Sequence, residues 1–243
     1  MLAYTIPEFG FDKLALVNVP EISHGNLSPT QVLIRVRAVA VNYRDLMMVQ
    51  GTYDPRLEKN RVPCSDGAGE VVAVGSAVRI FKPGDLVCGA FMQNWHDGPI
   101  NSPKMRGTLG GDTDGMLEEH GVIKAPAGYT AQQAATLPCA AVTAWNALFE
   151  GPVSLRPGDS VLVQGTGGVS MFALQFAHAA GATVIATSSS DDKLIKAKAL
   201  GATHTINTAT DNDAAKKVKA TAGGPAVASA FDAVSGGARR PLA

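Results

Sequence analysis

The stretch VLVQGTGGVSMFALQFAHAAGATVIATSSSDDK, residues 161–193, constrains the fold more than any other part of the chain. An apolar run ends in a glycine-rich turn, an amphipathic segment follows, and a second apolar run ends in a polar turn. Short apolar runs bounded by glycine and rich in β-branched residues predict strands. Val169, Phe172, Ala173, Phe176 and Ala180 recur at helical spacing and predict a helix that packs this face on a sheet. Strand, helix and strand in that order call for parallel pairing through a crossover. The rest of the C-terminal part repeats the alternation. Strands are expected near Ser160–Gln164, Thr183–Thr187, Thr203–Ile206 and Ala230–Val234, and helices near Gly168–Ala180, Asp191–Leu200 and Asp213–Thr221.

The N-terminal part reads differently. In QVLIRVRAVAVN, residues 31–42, Val32, Ile34 and Val36 alternate onto one face, as in a strand. GEVVAVGSAVRIFKPGDLVCG supplies two more short strands, with Pro83 and Gly84 marking a type I or II turn. Residues 91–115, rich in Gly, Pro, Asn and Asp, show no period and predict a long loop. Trp95 and His96 in that loop are candidates to wall a ligand cleft. From Thr130 the chain is Ala-rich and helical, with Thr130 and Gln133 spaced as a capping box and Pro138 as an expected break. The change in pattern places a domain boundary between 128 and 129, giving domains 1–128 and 129–243.

Composition excludes several function classes. The chain has 243 residues, 46% of them hydrophobic and 17% charged, enough apolar material for packed cores. Lys+Arg and Asp+Glu both total 21, and no basic run occurs, so neither a nucleic-acid nor a membrane partner is expected. The first residues lack the basic start and apolar run of a signal peptide. Cys64, Cys88 and Cys139 are odd in number and share no metal spacing, which fits reduced thiols and a cytoplasmic location. The five histidines share no metal spacing either.

The glycine turn, Gly165-Thr166-Gly167-Gly168-Val169, has the form of a dinucleotide site. Gly165 permits the tight turn. Gly167 lets the backbone approach a pyrophosphate, which sits at the helix N-terminus. Ser170 stands where the third glycine of such a fingerprint falls. An acid at the end of the second strand would select NAD through the ribose hydroxyls. Thr187, Ser188 and Ser189 stand there instead, and Lys193 follows. Neutral hydroxyls and a nearby cation suit the 2′-phosphate of NADP(H). The same residues also fit a helix cap and a solvated lysine.

Four stretches, VNYRDLMMVQGTY (41–53), PCSDGAGEVVAVG (63–75), LPCAAVTAWNALF (137–149) and the cofactor turn through KAKALGA (196–202), resemble the medium-chain dehydrogenase/reductase superfamily, and more closely its zinc-free quinone oxidoreductase and enoyl reductase branch. The resemblance implies an α/β protein: a GroES-like β-barrel domain followed by a Rossmann doubly wound parallel sheet, with the active site in the cleft between them. Zinc alcohol dehydrogenases of the superfamily hold catalytic zinc at three places that here carry Asn42, Ser65 and Cys139. An amide and a hydroxyl replace thiolate or imidazole poorly, so no metal is expected, and Cys139 is read as a small buried residue.

Without a Lewis acid, conjugated acceptors are the fitting substrates, because they need less polarisation. The resemblance therefore implies hydride transfer from NADPH to a quinone or an α,β-unsaturated carbonyl. Asn42, Tyr43 and Asp45 are the candidate catalytic residues. Arg44 and Asp45 are expected to form an ion pair behind them. Thr143 is expected near the nicotinamide, or as a back-bonded helix hydroxyl. Full-length relatives are expected to be homodimers. Two departures stand out: DGMLEEHGVIKAP, residues 114–126, is several residues shorter than in relatives, and only four of six Rossmann strands are legible before the end at Ala243. A catalytically silent NADPH-binding protein left by truncation, with an exposed fourth strand prone to association, and an alcohol dehydrogenase-like enzyme are the alternatives.

Overall fold

The computed structural model describes residues 2–20, 27–116, 122–151 and 154–221, together with the backbone of 229–232. It divides into two compact units, residues 1–139 and 140–243. The division falls beyond the expected 128/129, because the helix at Ala131–Ala135 buries Ala134 and Ala135 against Ala68 and Cys88 of the first unit.

In the first unit β1 (Leu2–Thr5) pairs antiparallel with β2 (Ala15–Asn18). A four-stranded antiparallel sheet runs in the order β3 (Val32–Ala40), β4 (Asp66–Val74), β5 (Leu86–Gly89) and β6 (Val122–Lys124). The alternation read in β3 holds at its start. Val32 is buried and Ile34 packs beside it, in a cluster with Val71, Val87 and Val122. The β3–β4 register shifts between Val36 and Ala38. Gly69 lies opposite, at a point where a Cβ would be driven into the backbone of Arg35 and Val36. The glycine of DGAGEVV is therefore demanded by the close approach of two strands. At Lys82–Asp85 the Asp85 amide donates to the Lys82 carbonyl at 3.1 Å, and Gly84 has φ 91°, the type II form of the expected turn.

Helix α1 (Tyr43–Gln50) follows β3 and ends at Gly51, whose φ of 71° lets its amide return to the Met47 and Met48 carbonyls. The long loop is more ordered than its composition suggests. It contains the short helix α2 (Ser102–Met105), capped by Asn101, and Trp95 donates from Nε1 to the Gly98 carbonyl at 2.8 Å. The short DGMLEEHGVIKAP segment still supplies β6, which pairs with β5; residues 117–121 lie outside the described residues. After α3 (Ala131–Ala135), capped by the Thr130–Gln133 box, Pro138 does not break the helical path. The chain widens to π-type turns at Leu137–Ala141, forms α4 (Val142–Trp145), and widens again at Asn146–Glu150. Wider turns accommodate a proline that lacks an amide donor.

The second unit holds a parallel sheet of β7 (Ser160–Gln164), β8 (Thr183–Ser188), β9 (His204–Asn207) and β10 (Ser229–Asp232) in the order β10-β7-β8-β9. Helices α5 (Gly168–Ala179), α6 (Asp191–Ala199) and α7 (Ala214–Thr221) lie between the strands in sequence. Every strand and helix forecast here begins and ends within two residues of its forecast. Val161, Val163, Val184 and Ala186 pack with α5 on one face, while Leu162, Ile185 and Ile206 pack with Val218 of α7 on the other. Both faces are covered, which is why β7 and β8 read as continuous apolar runs. All five residues of the forecast face pack on the core: Ala173 is fully buried, while Val169, Phe172, Phe176 and Ala180 are partly buried, and Ser170, Leu174 and Ala177 complete the buried face. The small residues allow the helix to lie close to the sheet and displace the bulky rings to its flank, where Trp145 meets Phe176 edge-on at 5.8 Å.

Candidate functional site

The glycine turn in the second unit has the geometry a dinucleotide needs. Gly165 adopts φ 75° with open space around it, so backbone conformation and not crowding requires the glycine. Its amide donates to the Thr187 carbonyl at 2.9 Å and ties the turn to the end of β8. Gly167 is the N-cap of α5, without a side-chain cap to the amides that open the helix. Those amides and the helix dipole together favour an anion. Thr166 is half-buried, Gly167 and Gly168 are exposed, and Val169 packs against the core. Ser170, in place of a third glycine, is fully buried, and its hydroxyl donates to the Gln164 carbonyl at 3.1 Å. The serine thereby satisfies the last carbonyl of the strand, a role glycine could not perform.

At the end of β8, Thr187 and Ser188 are buried and Ser189 is exposed. The Ser188 hydroxyl accepts from the Ser190 amide at 3.2 Å, which leaves its proton free to donate. Ser190 is the N-cap of α6, but its side chain makes no cap bond. The serines therefore shape the turn without closing the helix end. Lys193, one turn into α6, is exposed and has no carboxylate partner among the described residues. Thr143 is exposed in α4, and its hydroxyl makes no back-bond to the helix among the described residues.

In the first unit, the candidates gather around the start of α1. Asn42 is its N-cap, and the Asn42 amide donates to Asp45 Oδ2 at 2.8 Å. Asp45 is buried, and that burial pushes its carboxyl above the ordinary range against the pull of the Asn42 bond and the Arg44 charge. Asp45 thus holds Asn42 in position, while the buried Asn42 side chain is turned to the Asp66 carboxylate and pulls its pKa down. Tyr43, the first residue of the helix, is exposed.

Beside them lies a second carboxylate that the sequence reading passed over. Asp66 is fully buried, accepts from the Ser65 hydroxyl at 2.8 Å, and accepts from the Cys139 amide at 2.9 Å. Burial raises its carboxyl above the ordinary range, and Asp45 adds to the effect. Cys64 sits against both acids; burial and the two carboxylates push its thiol up to about 12. Asn42, Ser65 and Cys139, the positions matched to zinc ligands, therefore surround a hydrogen-bonded acid. Among the described residues no group of three or more His, Cys, Asp or Glu side chains is placed to hold a metal ion; His24 and His120 lie outside them. Asp66 stood next to Ser65 in the sequence, but its partner Cys139 is 73 residues away.

The expected Arg44–Asp45 ion pair does not form. Arg44 turns instead to the long loop: Nη1 donates to the Leu109 carbonyl at 3.0 Å and Nη2 to the Thr108 hydroxyl at 3.2 Å. The guanidinium carbon lies 5.1 Å from the Tyr53 ring centre and 4.9 Å from that of Phe91. Two rings and two oxygen acceptors hold the side chain more strongly than a carboxylate already occupied by the helix cap. Trp95 is half-buried and His96 exposed. No helix among the described residues is long and apolar enough to cross a membrane.

Comparison with known proteins accords with both halves. Residues 28–134 match the alcohol dehydrogenase GroES-like domain, and residues 168–240 match the zinc-binding dehydrogenase domain. A zinc-type alcohol dehydrogenase-like protein of Schizosaccharomyces pombe is 48% identical over 207 residues, covering 82% of this chain and 59% of its own length. The chain thus spans about three fifths of that relative. The crystal structure of an NAD-dependent alcohol dehydrogenase superposes with a TM-score of 0.80 at 31% identity, over 95% of this chain and 70% of that one. A quinone oxidoreductase of Pseudomonas syringae pv. Tomato DC3000 superposes with a TM-score of 0.72 at 26% identity, over 95% and 66%. With a GroES-like half, a parallel Rossmann-type sheet and these relatives, the chain belongs to the medium-chain dehydrogenase/reductase superfamily of oxidoreductases.

Proposed function

We propose that the chain binds NADPH and belongs to an enzyme that delivers hydride to a quinone or an α,β-unsaturated carbonyl without zinc. The observation that carries the cofactor reading is the end of β8, where the Ser188 hydroxyl stands in place of a carboxylate beside an uncapped α5 N-terminus. When bound, NADPH supplies the hydride. The α5 amides and the Gly165–Gly168 backbone hold the pyrophosphate, Ser188 donates to the ribose phosphate, and Lys193 supplies the matching cation. In the first unit, Asp45 fixes the Asn42 backbone, and the Asn42 side chain lies buried against Asp66, so Asn42 shapes the site instead of meeting the substrate directly. Tyr43 is exposed beside it and open to a substrate. Among the described residues no exposed side chain beside Tyr43 is placed as an obvious acid, and proton delivery is assigned to solvent.

The relatives pull in two directions. One structural neighbour is titled an NAD-dependent alcohol dehydrogenase and another a quinone oxidoreductase. Alcohol oxidation in this superfamily relies on zinc to polarise the substrate oxygen, and the amide and hydroxyl of Asn42 and Ser65 favour the reductase reading. A charged hydrogen bond contributes about 1.5–3 kcal/mol, so NADPH should bind on the order of ten- to a hundredfold more tightly than NADH. Fluorescence titration of both cofactors tests this, and Lys193→Ala should narrow the gap while sparing NADH. Equal affinities, or tighter NADH, would refute it. Stopped-flow consumption of NADPH with a small quinone then tests hydride transfer.

A further inference from the structure

Arg44, Tyr53 and Phe91 line an open cleft of about 370 Å³ that lies wholly within the first unit. Its volume falls in the range of small-ligand sites. Its walls carry apolar side chains, including Met48, Met92 and Met105, around charged ones. The charges are not equivalent. Arg56 is paired with Asp54 at 3.2 Å, and Arg61 is paired with both Glu58 and Asp114. The Asp112 carboxylate is turned to the Thr108 amide and hydroxyl, at 3.1 and 2.9 Å. Arg44 bonds only neutral oxygens and has no carboxylate within ion-pair distance among the described residues. Its Nε is buried without a partner. One wall of the cleft is therefore a partly buried guanidinium whose charge nothing in direct contact neutralises.

The backbone lies close against that charge. Gly111 also lines the cleft, and a Cβ there would press on Arg44 Nη2 and the Thr108 hydroxyl. Any other residue at 111 would have to push the guanidinium out of its seat. Gly111 is buried and does not take up a left-handed conformation, so the seat of Arg44 at the cleft wall is the local consequence of its missing side chain.

We propose that this cleft binds a small ligand made of an apolar or aromatic body and one carboxylate, with the carboxylate on Arg44 and the body against Tyr53, Phe91 and the methionines. A single negative charge fits better than a phosphate dianion. Arg56 and Arg61 are already paired, and the Asp112 carboxylate beside Thr108 repels a second charge. Nη1 and Nη2 each give one hydrogen bond to the protein, at Leu109 and Thr108, and each keeps a second N–H for a carboxylate oxygen. The site stands independently of the reductase reading, because it needs only residues of the first unit and no cofactor.

Calorimetric titration of the whole chain with benzoate and with isosteric benzamide, in the absence of any nicotinamide nucleotide, tests the proposal. Benzoate should bind at least tenfold more tightly than benzamide and weaken with added salt. Arg44→Gln should reduce benzoate to the level of benzamide. Because Arg44 also anchors the Thr108–Leu109 loop, that variant is accompanied by Gly111→Ala, which keeps the charge but displaces the guanidinium, and should still lower benzoate affinity about tenfold in protein shown to be folded by circular dichroism. The proposal is overturned if neither probe binds, if benzamide matches benzoate, if inorganic phosphate binds more tightly than benzoate, or if Gly111→Ala leaves benzoate affinity unchanged. Such a failure would leave NADPH binding and quinone reduction untouched, so the two readings fall separately.

Discussion

Cys64 shows how one residue is governed by neighbours that lie far along the chain. It has φ 72°, a left-handed conformation that costs a non-glycine residue about 1–2 kcal/mol. The surroundings enforce it. Gly110 packs against the Cys64 backbone, and a Cβ at Gly115 would enter the Pro63 and Cys64 carbonyl oxygens. The glycines of GTLGGDTDG thus serve a backbone contact, where composition alone suggested a loose loop. Burial and the charges of Asp45 and Asp66 push the Cys64 thiol up to about 12, so its thiolate is scarce at neutral pH. The folded protein treated with iodoacetamide at pH 8 should leave Cys64 unlabelled by mass spectrometry, while all three cysteines react in denaturant. Labelling of Cys64 at the denatured rate would contradict this reading. Asn42, Ser65 and Cys139 were legible as site positions, whereas Asp66 between them was not, because a buried acid leaves no mark until its partners are known.

Helix α1 and the start of β4 meet through Asp45 and Asp66, and the pair makes stability depend on pH. Both carboxyls are raised, chiefly by burial. A raised carboxyl holds its proton more tightly folded than unfolded. The native state therefore binds more protons between the ordinary carboxyl value of about 4 and the raised one. Below that window both states are protonated and the contribution is fully present; as pH rises through it, stability falls. Asp54 and Asp211 act oppositely. Hydrogen bonds from the Arg56 amide and from the Lys217 side chain lower them, and their contributions are lost only as pH falls below the ordinary value. Urea midpoints measured from pH 4 to 8 should decline, and Asp45→Asn or Asp66→Asn should flatten the decline. A rising midpoint over that range would contradict the assignment. Helix α5 and the segment after Thr130 show the limits of periodicity at this scale. The spacing of Val169, Phe172, Ala173, Phe176 and Ala180 marked the helix and a face that packs on the core, but not that its centre also takes Ser170 and Ala177, which close packing on a parallel sheet selects for size. Pro138 marked a disturbance correctly, but the chain absorbs it in π-type turns instead of ending the helix.

At the scale of the molecule each unit closes its own core, one antiparallel and one parallel. The positions that the resemblance matches to zinc ligands, Asn42, Ser65 and Cys139, carry an amide, a hydroxyl and one thiol, and a catalytic zinc needs about three strong protein ligands. Protein purified without chelator should therefore carry far less than one zinc per chain by elemental analysis. A stoichiometric metal, with activity lost on chelation and restored by zinc, would overturn the zinc-free reading. The amino-acid sequence alone determined the order of strands and helices in the second unit, the glycine turn before α5, the Thr130 cap and the turn at Pro83–Gly84. Each of these depends on residues a few positions apart, so the pattern is written locally. The tertiary structure alone decided which carboxylates share a buried site, that Arg44 leaves Asp45 for the Leu109 carbonyl 65 residues on, and that Gly69, Gly111 and Gly115 are held by close approach. Those outcomes depend on which distant segments are brought within a few ångströms, and desolvation and close packing act only after the chain has placed them there.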